Sequence, residues 1–235
     1  NDMDKILVLD FGSQYNQLIA RRVRELGVYS EIVPFSVSLE KLKGDNIKGI
    51  ILSGGPNSVY DEYAPHITKE LYDLNKPVLG ICYGMQITQY LFDGKISPAL
   101  KREYGKSTLT IFKDSPLTTN IAQTSTVWMS HGDHVDALSN EFELLGTTPS
   151  CIAIAKHKTR DIYNLQFHPE VTHTEFGKQI IENFTLNVCH AVPSWDLEDY
   201  IDETISTIKA KVGKDQVILA LSGGVDSSVA ATLIH

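Results

Sequence analysis

Gly80-Ile81-Cys82-Tyr83-Gly84 sets a thiol between two glycines. An apolar run, residues 77–81, enters this segment and a helical pattern, residues 84–92, leaves it. A cysteine at such a strand-to-helix junction can act as a nucleophile. The sharp turn exposes the side chain, small neighbours permit a strained backbone, and the helix N-terminus favours the reactive thiolate. The Tyr83 amide points to the same spot and can donate to an oxyanion. A buried core cysteine after a strand looks the same locally, so the glycines alone leave both readings open. Cys151 lies inside Cys151-Ile152-Ala153-Ile154-Ala155 and is expected in the core. Cys189 closes a helical pattern and is expected to be structural.

A reactive cysteine needs a base, and the base needs an orienting group. Among eight histidines, His168 follows the apolar run 162–167 in Phe167-His168-Pro169-Glu170. Proline keeps the preceding residue extended. In an extended chain, residues i and i+2 project to one side. Glu170 can therefore fix the tautomer of His168 and stabilise its charged form. A turn histidine beside an exposed glutamate is the competing reading. His131 and His134 flank Asp133 in Met129-Ser130-His131-Gly132-Asp133-His134. No third ligand accompanies the pair, so a binding loop is expected there in preference to a metal site.

Several elements must position these groups. Residues 5–10, 29–33, 49–52 and 77–81 read as short apolar strands, with helical spacing over 18–26, 66–74 and 84–92. The alternation predicts an α/β fold with a mostly parallel twisted central sheet and flanking helices. Ligands in such sheets sit at the carboxyl ends of strands. Asp10-Phe11-Gly12, Ser53-Gly54-Gly55-Pro56 and Cys82-Tyr83-Gly84 then share one edge. Runs at 107–112, 125–129, 142–146, 151–156 and 162–167 follow with few helices between them, so part of this region is expected to be antiparallel. Residues 175–188 read as a closing helix. A boundary is expected near 190, giving domains 1–190 and 191–235. The second opens with a helix, 196–212, and a strand, 216–221.

Composition narrows the partners. Of 235 residues, 42% are hydrophobic and 21% charged, with a formal net charge of -8. This is globular composition, and the negative balance argues against nucleic acid as a partner. No apolar run approaches the roughly 18 residues of a membrane span. No signal-peptide pattern opens the sequence. Three widely spaced cysteines make neither a disulfide framework nor a zinc pattern, which fits a reducing, cytoplasmic setting.

Three segments together carry a resemblance: Ser53-Gly54-Gly55-Pro56, Gly80-Ile81-Cys82-Tyr83-Gly84-Met85-Gln86 and Gln166-Phe167-His168-Pro169-Glu170. Over about residues 4–190 the chain resembles the class I (triad) glutamine amidotransferases. The resemblance implies Cys82 as nucleophile, His168 as base and Glu170 as its orienter. It implies an oxyanion hole from the Gly55 and Tyr83 amides. It implies L-glutamine as substrate, held by Gln86 and by Ser130, His131 and Asp133. It implies neither cofactor nor metal for glutamine hydrolysis.

Residues 216–221 run into Ser222-Gly223-Gly224-Val225-Asp226-Ser227-Ser228. Glycines and helix N-terminal amides suit phosphate, and no Walker A lysine follows. An ordinary strand-to-helix turn has the same appearance. The heptad resembles the pyrophosphate loop of the N-type ATP pyrophosphatases. An amidotransferase followed by this loop resembles the GMP synthetases, which implies Mg-ATP, xanthosine monophosphate (XMP) and the remainder of a synthetase domain as further partners. The sequence stops at His235, inside the helix after the loop. The expectation is therefore a truncated second α/β domain and a fragment that is at most a glutaminase. A glutaminase subunit of another synthase, or a non-catalytic glutamine-sensing module, are the alternatives.

Overall fold

The structure is a computed structural model that describes residues 3–195. The expected helix at 196–212, strand at 216–221 and loop at 222–228 lie outside the described residues. The chain divides into Asn1–Pro193 and Ser194–His235, and the sheet belongs to the first part.

Nine strands are present among the described residues. They are β1 (Lys5–Asp10), β2 (Tyr29–Pro34), β3 (Ile47–Leu52), β4 (Val78–Ile81), β5 (Lys95–Ile111), β6 (Thr124–Ala137), β7 (Phe142–Thr147), β8 (Ile152–His157) and β9 (Ile162–Leu165). They form one sheet in the order β2-β1-β3-β4-β9-β8-β7-β5-β6. The β2, β1, β3, β4 and β9 half is parallel. The pairs β9–β8, β8–β7, β7–β5 and β5–β6 are antiparallel. The expected mostly parallel sheet is therefore a mixed one. Within its antiparallel half β7, β8 and β9 follow one another through four-residue connections, and β5 and β6 are joined over residues 112–123, so none of these pairs needs a crossover helix.

Both faces of the parallel half are buried. Strand side chains alternate between faces: Ile6, Val8, Ile51, Leu79 and Ile81 enter one core, and Leu7, Leu9, Ile50, Leu52 and Val78 the other. On the first face lie α1 (Asn16–Arg24), through Ile19 and Val23, and α4 (Gly177–Glu182), through Ile180 and Ile181. A short α2 (Leu39–Leu42) and α3 (Tyr83–Leu91) contribute Leu42, Tyr83, Met85 and Ile87 to the second. Among the described residues no helix is long and apolar enough to cross a membrane.

Local differences from the sequence pattern have physical reasons. The helix expected at 66–74 is a 3₁₀ turn, Lys69–Leu74. Asn75 follows in a left-handed conformation (φ 58°) and Pro77 soon after, leaving too little chain for α-helical turns. The closing helix shifts at Asn183 into a π-helical turn, Asn183–Val188, where the Asn183 amide donates to the Leu117 and Thr119 carbonyls at 2.9 and 2.8 Å. Cys189 caps that turn and is buried as expected, its thiol pushed well up by burial and then by Asp161. Cys151 is only half-buried. A turn between Thr148 and Cys151 holds it at the mouth of β8, with its sulfur 3.3 Å from the Thr148 hydroxyl.

The glycines around Cys82 answer to close packing. A Cβ on Gly84 would lie 2.4 Å from the Leu52 carbonyl oxygen, and one on Gly80 would lie 2.6 Å from that of Gly84. Both obstacles are backbone, so neither can swing aside. Gly84→Ala is expected to lose about 3 kcal/mol and roughly 6–12 °C of melting temperature. Gly132→Ala, whose Cβ would meet only the Arg102 Nη1 at 3.8 Å, should stay within about 0.5 kcal/mol. Thermal unfolding followed by circular dichroism compares the two, and equal midpoints would refute the packing argument.

Candidate active site

Strand β4 ends at Ile81 and α3 begins at Tyr83, leaving Cys82 as the hinge. Its backbone sits at φ 54° and ψ -107°. Three hydrogen bonds pin this conformation. The Cys82 N–H donates to the Leu165 carbonyl at 2.7 Å, and the Cys82 carbonyl accepts from Met85 and Gln86 at 3.0 and 3.1 Å. The Tyr83 amide falls in the first turn, where a helix leaves N–H groups without intrahelical acceptors. The Tyr83 side chain turns elsewhere, its phenol donating to the Pro65 carbonyl at 2.7 Å.

His168 is fixed on both sides of its backbone. Its N–H donates to the Trp128 carbonyl at 3.0 Å, and its carbonyl accepts from the Thr174 hydroxyl at 2.6 Å. Its Nδ1 lies 3.1 Å from Glu170 Oε2, where it donates to the carboxylate. Glu170 is fully buried, and its carbonyl accepts from Arg22 Nε of α1 at 3.1 Å. Burial alone would push the His168 imidazole down. The Glu170 charge, with the Cys82 thiol beside the ring, overrides this and holds it well above its ordinary value. The Tyr15 ring packs edge-on against the imidazole at 5.2 Å between centroids.

Gly54 lets the two halves meet. A Cβ there would lie 3.1 Å from His168 Cε1 and 3.4 Å from Cys82 Cβ. Cys82, His168, Gly55 and Ser130 line one cavity of about 240 Å³, which Tyr15 and Arg102 also border. A buried thiol, an imidazole held by a carboxylate and nearby free amides can carry out acyl transfer through a thioester.

The structure separates the expected substrate-holding group. Ser130 lines the cavity, whereas Gln86, His131 and Asp133 do not. Residues 130–133 are not a loop but part of β6, paired with β5 across a register shift between Pro98 and Glu103. The ladder of this long pairing resumes on both sides of the irregularity, in a polar stretch that shows no apolar run in the sequence. The His131 ring donates from Nδ1 to the Asp133 carbonyl at 2.7 Å. Gln86 is buried, and its amide donates to the same carbonyl at 2.9 Å, tying α3 to β6.

Tyr15 is the residue that sequence reasoning passed over, and Arg102 was given no role. Tyr15 lies just past the Asp10-Phe11-Gly12 strand end, where Asp10 Oδ1 accepts from the Gly12 amide at 2.7 Å and the Asn16 amide at 2.5 Å. That strand-end position was the available signal. Arg102 stands in the register shift, where no periodicity marks it.

The family described as Glutamine amidotransferase class-I matches residues 7–188. A GMP synthase [glutamine-hydrolyzing] from Spiroplasma kunkelii is 52% identical over 232 residues, covering 99% of this chain and 45% of the relative. One from Clostridium perfringens is 50% identical over 233 residues, with 99% and 46% covered. The chain thus spans about half the length of the curated relatives it matches. A solved structure of a GMP synthase subunit protein from Thermoplasma acidophilum is 33% identical with a TM-score of 0.70, covering 80% of this chain and 94% of that one. A glutamine amidotransferase from Thermotoga maritima, 18% identical with a TM-score of 0.56, shares the fold, with 81% and 86% covered.

The buried His168–Glu170 pair makes stability depend on pH. A raised imidazole contributes stability that is complete below the unfolded value of about 6.5 and fades as pH climbs through the folded value. The melting-temperature gap between the parent and Glu170→Gln should therefore be widest below about pH 6.5 and narrow as pH rises. Thermal scans from mildly acid to alkaline pH check this. A gap that widens with pH would mean the imidazole is not held charged.

Proposed function

The chain belongs to the class I glutamine amidotransferases, and from that premise we propose that it hydrolyses L-glutamine to glutamate and ammonia at Cys82. The observation that carries this reading is one cavity shared by the hinge cysteine and an imidazole whose Nδ1 is held by a buried carboxylate.

His168 takes the thiol proton, and the Cys82 sulfur attacks the side-chain amide carbon of glutamine. The carbonyl oxygen becomes an oxyanion facing the Gly55 and Tyr83 amides; one such donor is typically worth about 2.7–4 kcal/mol. The imidazolium returns its proton to the amide nitrogen, the carbon–nitrogen bond breaks, and ammonia leaves. A γ-glutamyl thioester remains on Cys82. Water, deprotonated by neutral His168, attacks it, and glutamate departs as the sulfur is regenerated. Glu170 keeps Nδ1 protonated so that Nε2 does the exchange. Ser130 at the cavity wall offers its carbonyl to the amino-acid end of the substrate, while Gln86, His131 and Asp133 support that wall from behind. No cofactor or metal enters these steps.

The ammonia feeds an ATP-dependent amination of XMP to GMP in a protein of the relatives' full length. The curated relatives' names and the heptad at 222–228 support this; the heptad lies outside the described residues. There Mg-ATP is a co-substrate: the XMP oxygen takes its adenylyl group as pyrophosphate leaves, and ammonia then displaces AMP. The setting proposed is cytoplasmic.

Cys82→Ala should lower glutamate release by about 10⁴-fold or more with the circular dichroism spectrum kept. Release within about tenfold of the parent would overturn the nucleophile. At saturating glutamine, Glu170→Gln should lose less than His168→Ala, because it orients the base and does not exchange the proton. At the relatives' full length, Cys82→Ala should still form GMP from ammonium salt. Failure to do so would refute the division of labour.

A further inference from the structure

Gln166 is fully buried, and its backbone N–H donates to the Ala153 carbonyl at 2.9 Å. Its side-chain Nε2 lies 3.5 Å from the Cys82 sulfur. Which end of this amide faces the sulfur is settled by a chain of donors that starts at a backbone atom. The Asp133 carbonyl can only accept. It lies 2.9 Å from the Gln86 side chain, so the Gln86 NH₂ must face it. The same NH₂ lies 3.4 Å from one amide atom of Gln166. Two NH₂ groups would repel, so that atom is the Gln166 oxygen. The Gln166 NH₂ is left facing the sulfur.

On its other side the sulfur lies 3.5 Å from the Ser130 carbonyl, to which the neutral thiol donates. Once the proton has gone to His168, the Gln166 N–H is the neutral donor the sulfur retains. Other titratable or charged groups around the site are His168 and Glu170 beyond β9, Tyr15 ahead of α1, Arg102 and Glu103 on β5, His131, Asp133 and His134 on β6, and Cys151 before β8.

We infer that Gln166 is a further catalytic residue: its side-chain N–H, aimed by Gln86 and the Asp133 carbonyl, holds the Cys82 sulfur as thiolate and leaving group. This rests on the reading of Cys82 as nucleophile. The N–H is at hand when the thiolate forms and again when the thioester breaks and the sulfur leaves with its electron pair. Gln86 is thereby a positioning residue.

The test measures iodoacetamide alkylation of Cys82 against pH by peptide mass spectrometry, with the parent protein under the same conditions as reference. Gln166→Met keeps the length and removes the donor. Its Cys82 profile should move up by about 1 pH unit. Gln166→Glu keeps an acceptor for Gln86 but sets a carboxylate beside the sulfur, and should move the profile further up; it also serves if Gln166→Met does not fold. Gln86→Met should move it less, and add nothing in the Gln166→Met background. A Gln166→Met profile coinciding with the parent's would overturn the inference, as would a coinciding Gln166→Glu profile where Gln166→Met does not fold. Glutamate release is scored separately: a parent that alkylates normally but never releases glutamate sinks the proposed function, while the thiol profiles still decide the role of Gln166.

Discussion

The backbone of Cys82, at φ 54° and ψ -107°, occupies a region that costs a residue with a Cβ on the order of 1–3 kcal/mol. Everything else in the site depends on its being held there. The hydrogen bond to Leu165 ties the hinge to β9, and the first turn of α3 closes on the Cys82 carbonyl. The approach of Gly84 to the Leu52 backbone brings that turn down onto β3. Strain of this size persists only where the surroundings fix it from several sides. Here the surroundings are three neighbouring parallel strands whose side chains enter cores on both faces. The result is a sulfur at the tip of a strand and the head of a helix.

Charge is the second constraint. A fully buried carboxylate is unfavourable unless paired, and Glu170 is paired through one oxygen to His168. The imidazole is itself buried, which opposes its charge, yet the carboxylate and the thiol prevail. The arrangement needs rigid backbones to keep the ring in reach of both. The Trp128 carbonyl and the Thr174 hydroxyl supply this from β6 and from the turn after His168. Strand β6 is at the far edge of the sheet order from β4. Even so, it returns to the hinge through Ser130, Asp133 and Trp128. The antiparallel half of the sheet is thus the back wall of a site that the parallel half begins.

Much of this is legible in the chain itself. The apolar runs at 5–10 and 77–81 mark strands with almost the observed bounds, because buried strands need continuous apolar residues, and the mixed run at 29–33 marks the edge strand β2. The glycines around Cys82 and the proline after His168 announce special backbone, and special backbone is a local property. Residues 95–106 and 130–137 carry no such signal. Their strands hold mixed polar residues on a ladder kept by a long pairing, and periodicity does not register a strand whose faces are only partly apolar. The region at 130–133 therefore reads as a loop from its residues alone, and nothing local gives Arg102 a place.

The sequence by itself marked strands β1 to β4 of the parallel half, whereas the parallel place of β9 came only with the structure. The sequence also put forward the hinge at Cys82 and the pairing of His168 with Glu170, each beside a competing local reading. Each of these rests on residues close together in the chain, where glycine, proline and alternating apolar side chains leave few conformations. Tertiary structure alone decided what stands around the sulfur. Tyr15, Arg102 and Ser130 come to one cavity from three separate elements, and the amide of Gln166 is turned by Gln86 and by a carbonyl on β6. An amide has two nearly equal orientations, and no local rule chooses between them. Only the fixed polarity of a backbone carbonyl, delivered by β6, makes the choice.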